Sequence, residues 1–233
     1  MYVMIYIIAQ KFVEVSKNKL KHFKEMLDFP NVFQKNTDHK GKWNIEFKNS
    51  NPIILELGCG KGEYTIGMAE KDPNKNYIGI DIKGARIYTG AKYALNNKLD
   101  NVRFLRMQVD HLAEYFETNE VSEIWITFAD PFLPESDAKR RLTSPKFLEV
   151  YNKVLKPKST INLKTDSDEL FQYTLEVIEE LNLNLHYSNS DIYASELIDE
   201  RLQIKTYYEK KHLLNHKTIK YVRYDLNDYF TSS

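Results

Sequence analysis

The chain has one cysteine in 233 residues, Cys59, so no disulfide can form within it. That scarcity suits a reducing cytoplasm. It also lacks any apolar run approaching the roughly 20 residues that a membrane-spanning helix needs. The apolar opening, Met1 to Ala9, stops far short of that length. With neither a basic leading region nor a small-residue cleavage site, it makes a poor secretory signal. An alternative start at Met4, an edge strand or a flexible extension are the readings left for it. No charge is in excess: 33 basic and 33 acidic residues give a formal net charge of +0. A nucleic-acid partner would therefore have to be held by local basic patches, not by global attraction. Candidate patches are Lys17, Lys19, Lys21 and Lys24, then Lys139-Arg140-Arg141, then Lys205, Lys210 and Lys211. Each reads equally as a solvated face. No internal repeat or low-complexity linker divides the chain. What is present, 42% hydrophobic and 28% charged residues, is the composition of a soluble globular protein, and 233 residues fit one large α/β domain, or one domain with a modest extension.

The most informative run is Ile53-Ile54-Leu55-Glu56-Leu57-Gly58-Cys59-Gly60-Lys61-Gly62. It reads as a buried strand with an acidic residue near its end, breaking into a turn that needs glycine backbone and then entering a helix. The dinucleotide-binding spacing G-x-G-x-x-G fails, because position 63 is Glu63. The G-x-G-x-G spacing resembles instead the S-adenosylmethionine (SAM) loop of class I methyltransferases. Cys59 reads as a small residue beside the ligand, since nothing marks a base partner for it.

Strand candidates are residues 53–57, 77–80, 102–107, 123–128, 160–164, 185–188 and 219–224. Helix-length segments separate the first five, which predicts a Rossmann-like, seven-stranded, mostly parallel sheet with helices on both faces. Phe171, Leu175, Ile178 and Leu181 mark one apolar helix face. Thr143 or Ser144 before Pro145 marks a helix start with a hydroxyl cap. Residues 1–50 are assigned to an N-terminal arm and 51–233 to the main domain.

In open α/β sheets ligands lie beyond the carboxyl ends of the strands, and a polar residue stands at each such end here. Asp81 has the two acceptor oxygens a ribose diol needs. Gln108 offers a donor and an acceptor to an adenine edge, and Asp110 reads as a helix N-cap. Thr127-Phe128-Ala129-Asp130-Pro131-Phe132 follows the fourth strand. It partly resembles the (N/D)PP(Y/F) motif of amino-directed nucleic-acid methyltransferases, with Phe132 where the second proline belongs. Asp166 and Glu169 read as a capping box. His212 and His216 lie one helical turn apart without a third ligand, so no metal is expected.

Four ordered motifs strengthen the likeness: Phe128-Ala129-Asp130-Pro131, Lys139-Arg140-Arg141-Leu142-Thr143, Leu163-Lys164-Thr165-Asp166 and Thr206-Tyr207-Tyr208-Glu209. Together with the glycine loop they resemble the bacterial tRNA (guanine-N(7)-)-methyltransferase family across residues 50 to 224. Val15-Ser16-Lys17-Asn18-Lys19 and Phe29-Pro30-Asn31-Val32 fit bacterial members as well. The resemblance implies SAM as methyl donor and tRNA as substrate, with methylation at N7 of the variable-loop guanine, tRNA position 46. It places Glu56, Gly58, Gly60, Asp81, Gln108 and Asp130 at the donor, with Asp130 also catalytic. It places Asp166, Thr206, Tyr207, Tyr208 and Glu209 against the tRNA. Members of the family are monomers or homodimers. One departure stands out: Pro134 replaces a common substrate-binding lysine, which transfers the expected phosphate grip to Lys139, Arg140 and Arg141. The alternatives are a SAM-dependent methyltransferase acting on an exocyclic amine of another RNA or DNA, and a non-catalytic module that binds SAM or a nucleotide and docks RNA.

Overall fold

Alternating apolar runs and turns build one sheet of eight strands, seen in a computed structural model that describes residues 20–227. Residues 20–26 form α1. There follow β1 (Val32–Gln34), α2 (Trp43–Phe47), β2 (Ile53–Leu57), α3 (Glu63–Lys71), β3 (Asn76–Asp81), α4 (Gly84–Asn96) and β4 (Val102–Arg106). Then come α5 (Leu112–Tyr115), β5 (Val121–Thr127), α6 (Pro145–Asn152), β6 (Leu155–Thr165) and α7 (Asp168–Glu180). The chain closes with β7 (Asn184–Asn189), α8 (Tyr207–Leu214) and β8 (Lys220–Asp225). Met1 to Ala9, Val15 to Lys19 and the patch residues Lys17 and Lys19 lie outside the described residues.

The strand order is β1-β4-β3-β2-β5-β6-β8-β7. Strands β1 to β6 pair in parallel, and β8 runs antiparallel between β6 and β7. Chain order proceeds outward from β2 through β3 to β4 on one side, and through β5 to β6 on the other. The boundary between β2 and β5 is thus the switch point where a ligand crevice forms. Helices cover both faces, so the central strands are apolar on both sides. Leu55, Leu57, Ile80, Ile124, Ile126 and Leu163 fill one core. Ile54, Tyr77, Phe104, Trp125 and Tyr221 fill the other.

All seven expected strands are present. The eighth, β1, comes from the arm and pairs with β4 through Val32 and Phe104. Asn31 supports it, donating its side-chain amide to Ala91 O at 3.0 Å. The arm is fastened further along, where Trp43 Nε1 donates to Tyr115 O at 3.0 Å and Arg103 pairs with Glu46 at 2.8 Å. On α7 the buried face is Leu170, Thr174, Val177 and Ile178. Of the expected stripe, Ile178 and Leu181 are buried in the core, while Phe171 and Leu175 pack at its margin beside the buried Leu170 and Thr174. Helix α6 starts with Ser144 at the N-cap and Pro145 at the first position, as expected, but no side-chain cap bond forms. The Ser144 hydroxyl donates to Lys139 O at 3.2 Å instead.

Candidate functional site

The glycine turn leaves β2 with Gly58, Gly60 and Gly62 at φ of 73°, 57° and 73°, the left-handed region that side chains resist. At Gly62 space is also absent, since a Cβ would lie 2.6 Å from the Phe104 ring. Gly58 and Cys59 donate their amides to Ile80 O at 2.8 and 3.0 Å. Gly60 N donates to Asp81 Oδ2 at 2.9 Å, and Lys83 N donates to Asp81 Oδ1 at 2.7 Å. Asp81 thus clamps the loops after β2 and β3 together, and it retains further lone pairs at the cleft wall. A Cβ at Gly60 would meet nothing within 4 Å, so the turn opens onto free space. Burial pushes the Cys59 thiol well above its ordinary value, with the Glu56 and Asp81 charges adding to the shift. A buried thiol kept neutral in this way is a poor nucleophile.

Glu56 sits beneath the turn and is 1% exposed. It accepts from Thr65 N at 2.7 Å, from the Thr65 hydroxyl, and from the Thr127 hydroxyl at 2.6 Å. Burial raises its carboxyl to about 7 despite these bonds. In this placement Glu56 braces the turn from below, binding the ends of β2, β5 and α3.

After β5 the chain turns through Phe128 and Phe132, both left-handed at φ of 51° and 44°. Asp130 is exposed between them, its Oδ1 accepting from Phe132 N at 3.3 Å. Arg140 stacks 4.3 Å over the Phe132 ring and lies 3.4 Å from Asp137. Arg141 is buried, and its guanidinium is spent on the carbonyls of Pro131, Phe132 and Leu133. It is therefore not free for the phosphate contact expected of it.

Two further expectations need correcting. Asp110 caps no helix; Gln108 and His111 hold the N-cap positions, while Asp110 pairs with Lys146 across the cleft. Asp166 is not the cap of α7 either. Ser167 accepts from Leu170 N at 3.1 Å, and Glu169 takes the Ser167 hydroxyl at 2.9 Å. Asp166 instead accepts from Lys217 Nζ at 2.7 Å and lies 3.3 Å from His212 Nδ1.

Helix α8 carries the last motif. Thr206 is its N-cap, accepting from Glu209 N at 3.1 Å. Glu209 is wholly buried and pairs with the equally buried Lys164 at 2.8 Å. Tyr193 donates its hydroxyl to the same carboxylate at 2.6 Å, and Lys164 also donates to Leu202 O and Ile204 O. Burial lowers the Lys164 ammonium to about 8 against the pull of Glu209. Thr206 and Glu209 together fix the helix. Tyr207 points away from the cleft, with its amide on Glu63 at 3.0 Å and Lys61 5.4 Å over its ring.

One cleft of about 1240 Å³ brings together Gly58, Asp81, Gln108, Asp130, Asp166 and Tyr208. Glu56, Thr206 and Glu209 are buried and do not line it, and Gly60 lies at its edge in the open turn. The exposed Ile82, the buried Met107 and the partly covered Val109 and Leu142 give it apolar surface suited to a purine ring. The donor set fits a nucleoside with a charged tail: a carboxylate for a ribose diol, an amide side chain for a base edge, and an open glycine turn. Sequence reasoning treated His212 only as half of a metal pair. The structure puts it in the cleft wall, stacked on Phe128 at 6.1 Å. Its spacing of four from Tyr208, which shares one helix face with it, was the available signal.

A family profile described as "Putative methyltransferase" matches residues 50–222. The tRNA (guanine-N(7)-)-methyltransferase of Christiangramia forsetii is 48% identical over 221 residues, 91% of this chain and 99% of the relative. The protein of the same name from Bacteroides fragilis is 47% identical over 219 residues, 90% of this chain and 86% of its own. Among solved structures, the 16S rRNA methyltransferase KamB superposes with a TM-score of 0.61 at 14% identity, covering 83% of this chain and 97% of that one. An antibiotic-related methyltransferase gives 0.60 at 19% identity, covering 82% and 95%. At such identities the structural likeness establishes the fold, that of a methyltransferase sheet.

Proposed function

The chain belongs to the tRNA (guanine-N(7)-)-methyltransferase family, and we propose that its cleft transfers a methyl group from SAM to N7 of a guanine in tRNA. The observation that carries this is the meeting of Asp81 and the glycine turn with Asp130 in one cleft at the β2/β5 switch point. The donor, a sulfonium, supplies an electrophilic methyl group when bound. Gly58, Gly60, Asp81 and Gln108 orient it, with Asp81 taking the ribose hydroxyls and Gln108 the adenine edge.

The N7 atom of guanine has an in-plane lone pair and is unprotonated at neutral pH, so no general base is required. The chain's task is alignment of that nitrogen at a near-attack distance of about 3–3.5 Å. Positive charge passes to the purine as the bond forms. The Asp130 carboxylate favours that redistribution and accepts hydrogen bonds from the N–H groups of the guanine Watson–Crick edge. Asp130 thus aligns and stabilises and removes no proton. Tyr208 and Phe132 offer aromatic surface for a base drawn out of its stack, at a cost of a few kcal/mol.

Within tRNA, the variable-loop guanine at position 46 is the proposed target, and the cytoplasm the proposed compartment. Among the described residues no helix is long and apolar enough to cross a membrane. Incubating the full chain with transcribed tRNA and labelled SAM, then mapping the modified nucleoside, tests the reading. N7-methylguanosine is expected. A methylated exocyclic amine, or no transfer to any RNA, contradicts it.

A further inference from the structure

The loop that carries Asp130 is held by almost nothing of its own. Its backbone is tied at the entrance, where Phe128 N donates to Lys164 O at 2.9 Å, and at the exit, where Asp137 N donates to Pro134 O at 2.9 Å. Between these ties lie the left-handed Phe128 and Phe132, conformations that cost a side-chain residue of order 1 kcal/mol or more. Such strain persists only where the surroundings over-determine it. Phe128 is stacked on His212 and Phe132 lies under Arg140, and one buried side chain grips the backbone between and beyond them. Arg141 Nε donates to Pro131 O at 3.1 Å and to Phe132 O at 3.3 Å. Its Nη2 donates to Phe132 O at 3.1 Å and to Leu133 O at 3.4 Å. The guanidinium is stacked 4.3 Å over the Tyr173 ring of α7, and the residue is 4% exposed. Its backbone is fixed just before α6, with Ser144 N donating to Arg141 O at 2.9 Å.

We infer that Arg141 is a positioning residue for the reaction, holding the Asp130 loop in its working shape instead of binding the phosphates of the RNA. The connection to Asp130 is short. The peptide whose carbonyl Arg141 grips belongs to Phe132, and the amide of the same residue is the donor on which the Asp130 carboxylate rests. Release of that carbonyl frees the amide and lets the carboxylate drift from the reacting guanine. Only a planar fork of donors can serve three consecutive carbonyls while lying flat on an aromatic ring. An ammonium keeps the charge and loses the geometry. That difference separates positioning from phosphate binding, for which lysine serves as a point charge.

The inference rests on the methyl-transfer reading above, so the test includes a readout independent of turnover. Wild type, Arg141→Lys, Asp130→Asn and the double variant are compared at saturating donor and tRNA. Hydrogen exchange of the Phe132 amide is followed in parallel. Arg141→Lys is expected to lower kcat by about 100-fold, the cost of a misplacement near 1 Å. Its KM for tRNA and the salt dependence of tRNA binding should stay at wild-type values. In the Asp130→Asn background the same substitution should add less than about threefold, because the two act as a unit. The Phe132 amide should exchange faster. Additive losses, a change confined to KM and salt slope, or unchanged exchange would each overturn the inference. Tyr173→Leu, which removes the stacking platform, gives a second variant should Arg141→Lys fail to fold. It is expected to lower kcat and quicken Phe132 exchange in the same sense, and no effect on either overturns the inference. An inactive wild type with accelerated exchange in the variant contradicts the proposed function and leaves the role of Arg141 in the loop standing.

Discussion

Glu56 is a carboxyl forced to live in the core, and its titration can be read out as stability. Burial raises it from its ordinary value of 4.5 to about 7. The folded state therefore keeps the proton longer than the unfolded chain, so stability falls as pH climbs from about 4.5 to about 7 and levels off above. Glu56→Gln removes this titration. Denaturant melts of variant and wild type at pH 5 and pH 8 should show their difference moving in favour of the variant by on the order of 3 kcal/mol. A difference that does not change with pH contradicts the assignment. Asp130→Asn tests the opposite kind of residue, an exposed carboxylate facing the reaction. Turnover at saturating substrates should fall by about 100- to 1000-fold, the typical cost of losing one preorganised electrostatic contact. Full turnover would show that the charge is not used. The sequence made Asp81, Gln108 and Asp130 legible, because the strand-end rule depends only on where strands stop. The burial of Glu56 was not legible in the same way, since position in the chain does not say whether a side chain points to the crevice or under it. The alternation of Ile54 and Glu56 on one face of β2 held that information.

At the scale of the element, α8 is the part of the site most dependent on long-range packing. Its own sequence gives it little: only Glu209 is buried, and that residue is charged. It is held instead by the ion pair with Lys164 of β6 and by the Tyr193 hydroxyl. Lys164→Met leaves a buried carboxylate without its cation and should cost about 3–5 kcal/mol in a denaturant melt. A loss below about 1 kcal/mol would mean that the pair does not organise the helix. Glu209→Gln retains an acceptor for both partners, so its main effect should be on tRNA use, with SAM affinity near normal. Equal loss of SAM affinity in an isothermal titration contradicts that division. Tyr208, 45% exposed in the cleft wall, and Tyr207, 56% exposed outside it, make a matched pair. Tyr208→Ala should raise the KM for tRNA by roughly tenfold, as the loss of a stacking platform worth about 1–3 kcal/mol requires. Tyr207→Ala should change it far less; equal effects contradict the placement. The burial of Glu209 could not be read from the T-x-Y-E spacing, which shows a cap and a charge but not the lysine 45 positions upstream that receives it. The strand of three residues at Val32–Gln34 was missed for a simpler reason, being too short for any periodicity to register.

For the whole molecule, one principle orders these parts. Two halves of a doubly wound sheet diverge from β2 and β5, and the loops at that parting carry the donor turn and the Asp130 carboxylate. The architecture was legible because five alternations of strand and helix leave few topologies open. The chemistry was legible because each strand end bears a polar residue. A crystal structure of the chain with S-adenosylhomocysteine, the demethylated donor, tests the account most directly. The account predicts ribose hydroxyls on Asp81, the adenine edge beside Gln108, and sulfur directed across the cleft toward Asp130. A nucleoside seated elsewhere, or one with its sulfur turned away from Asp130, contradicts it.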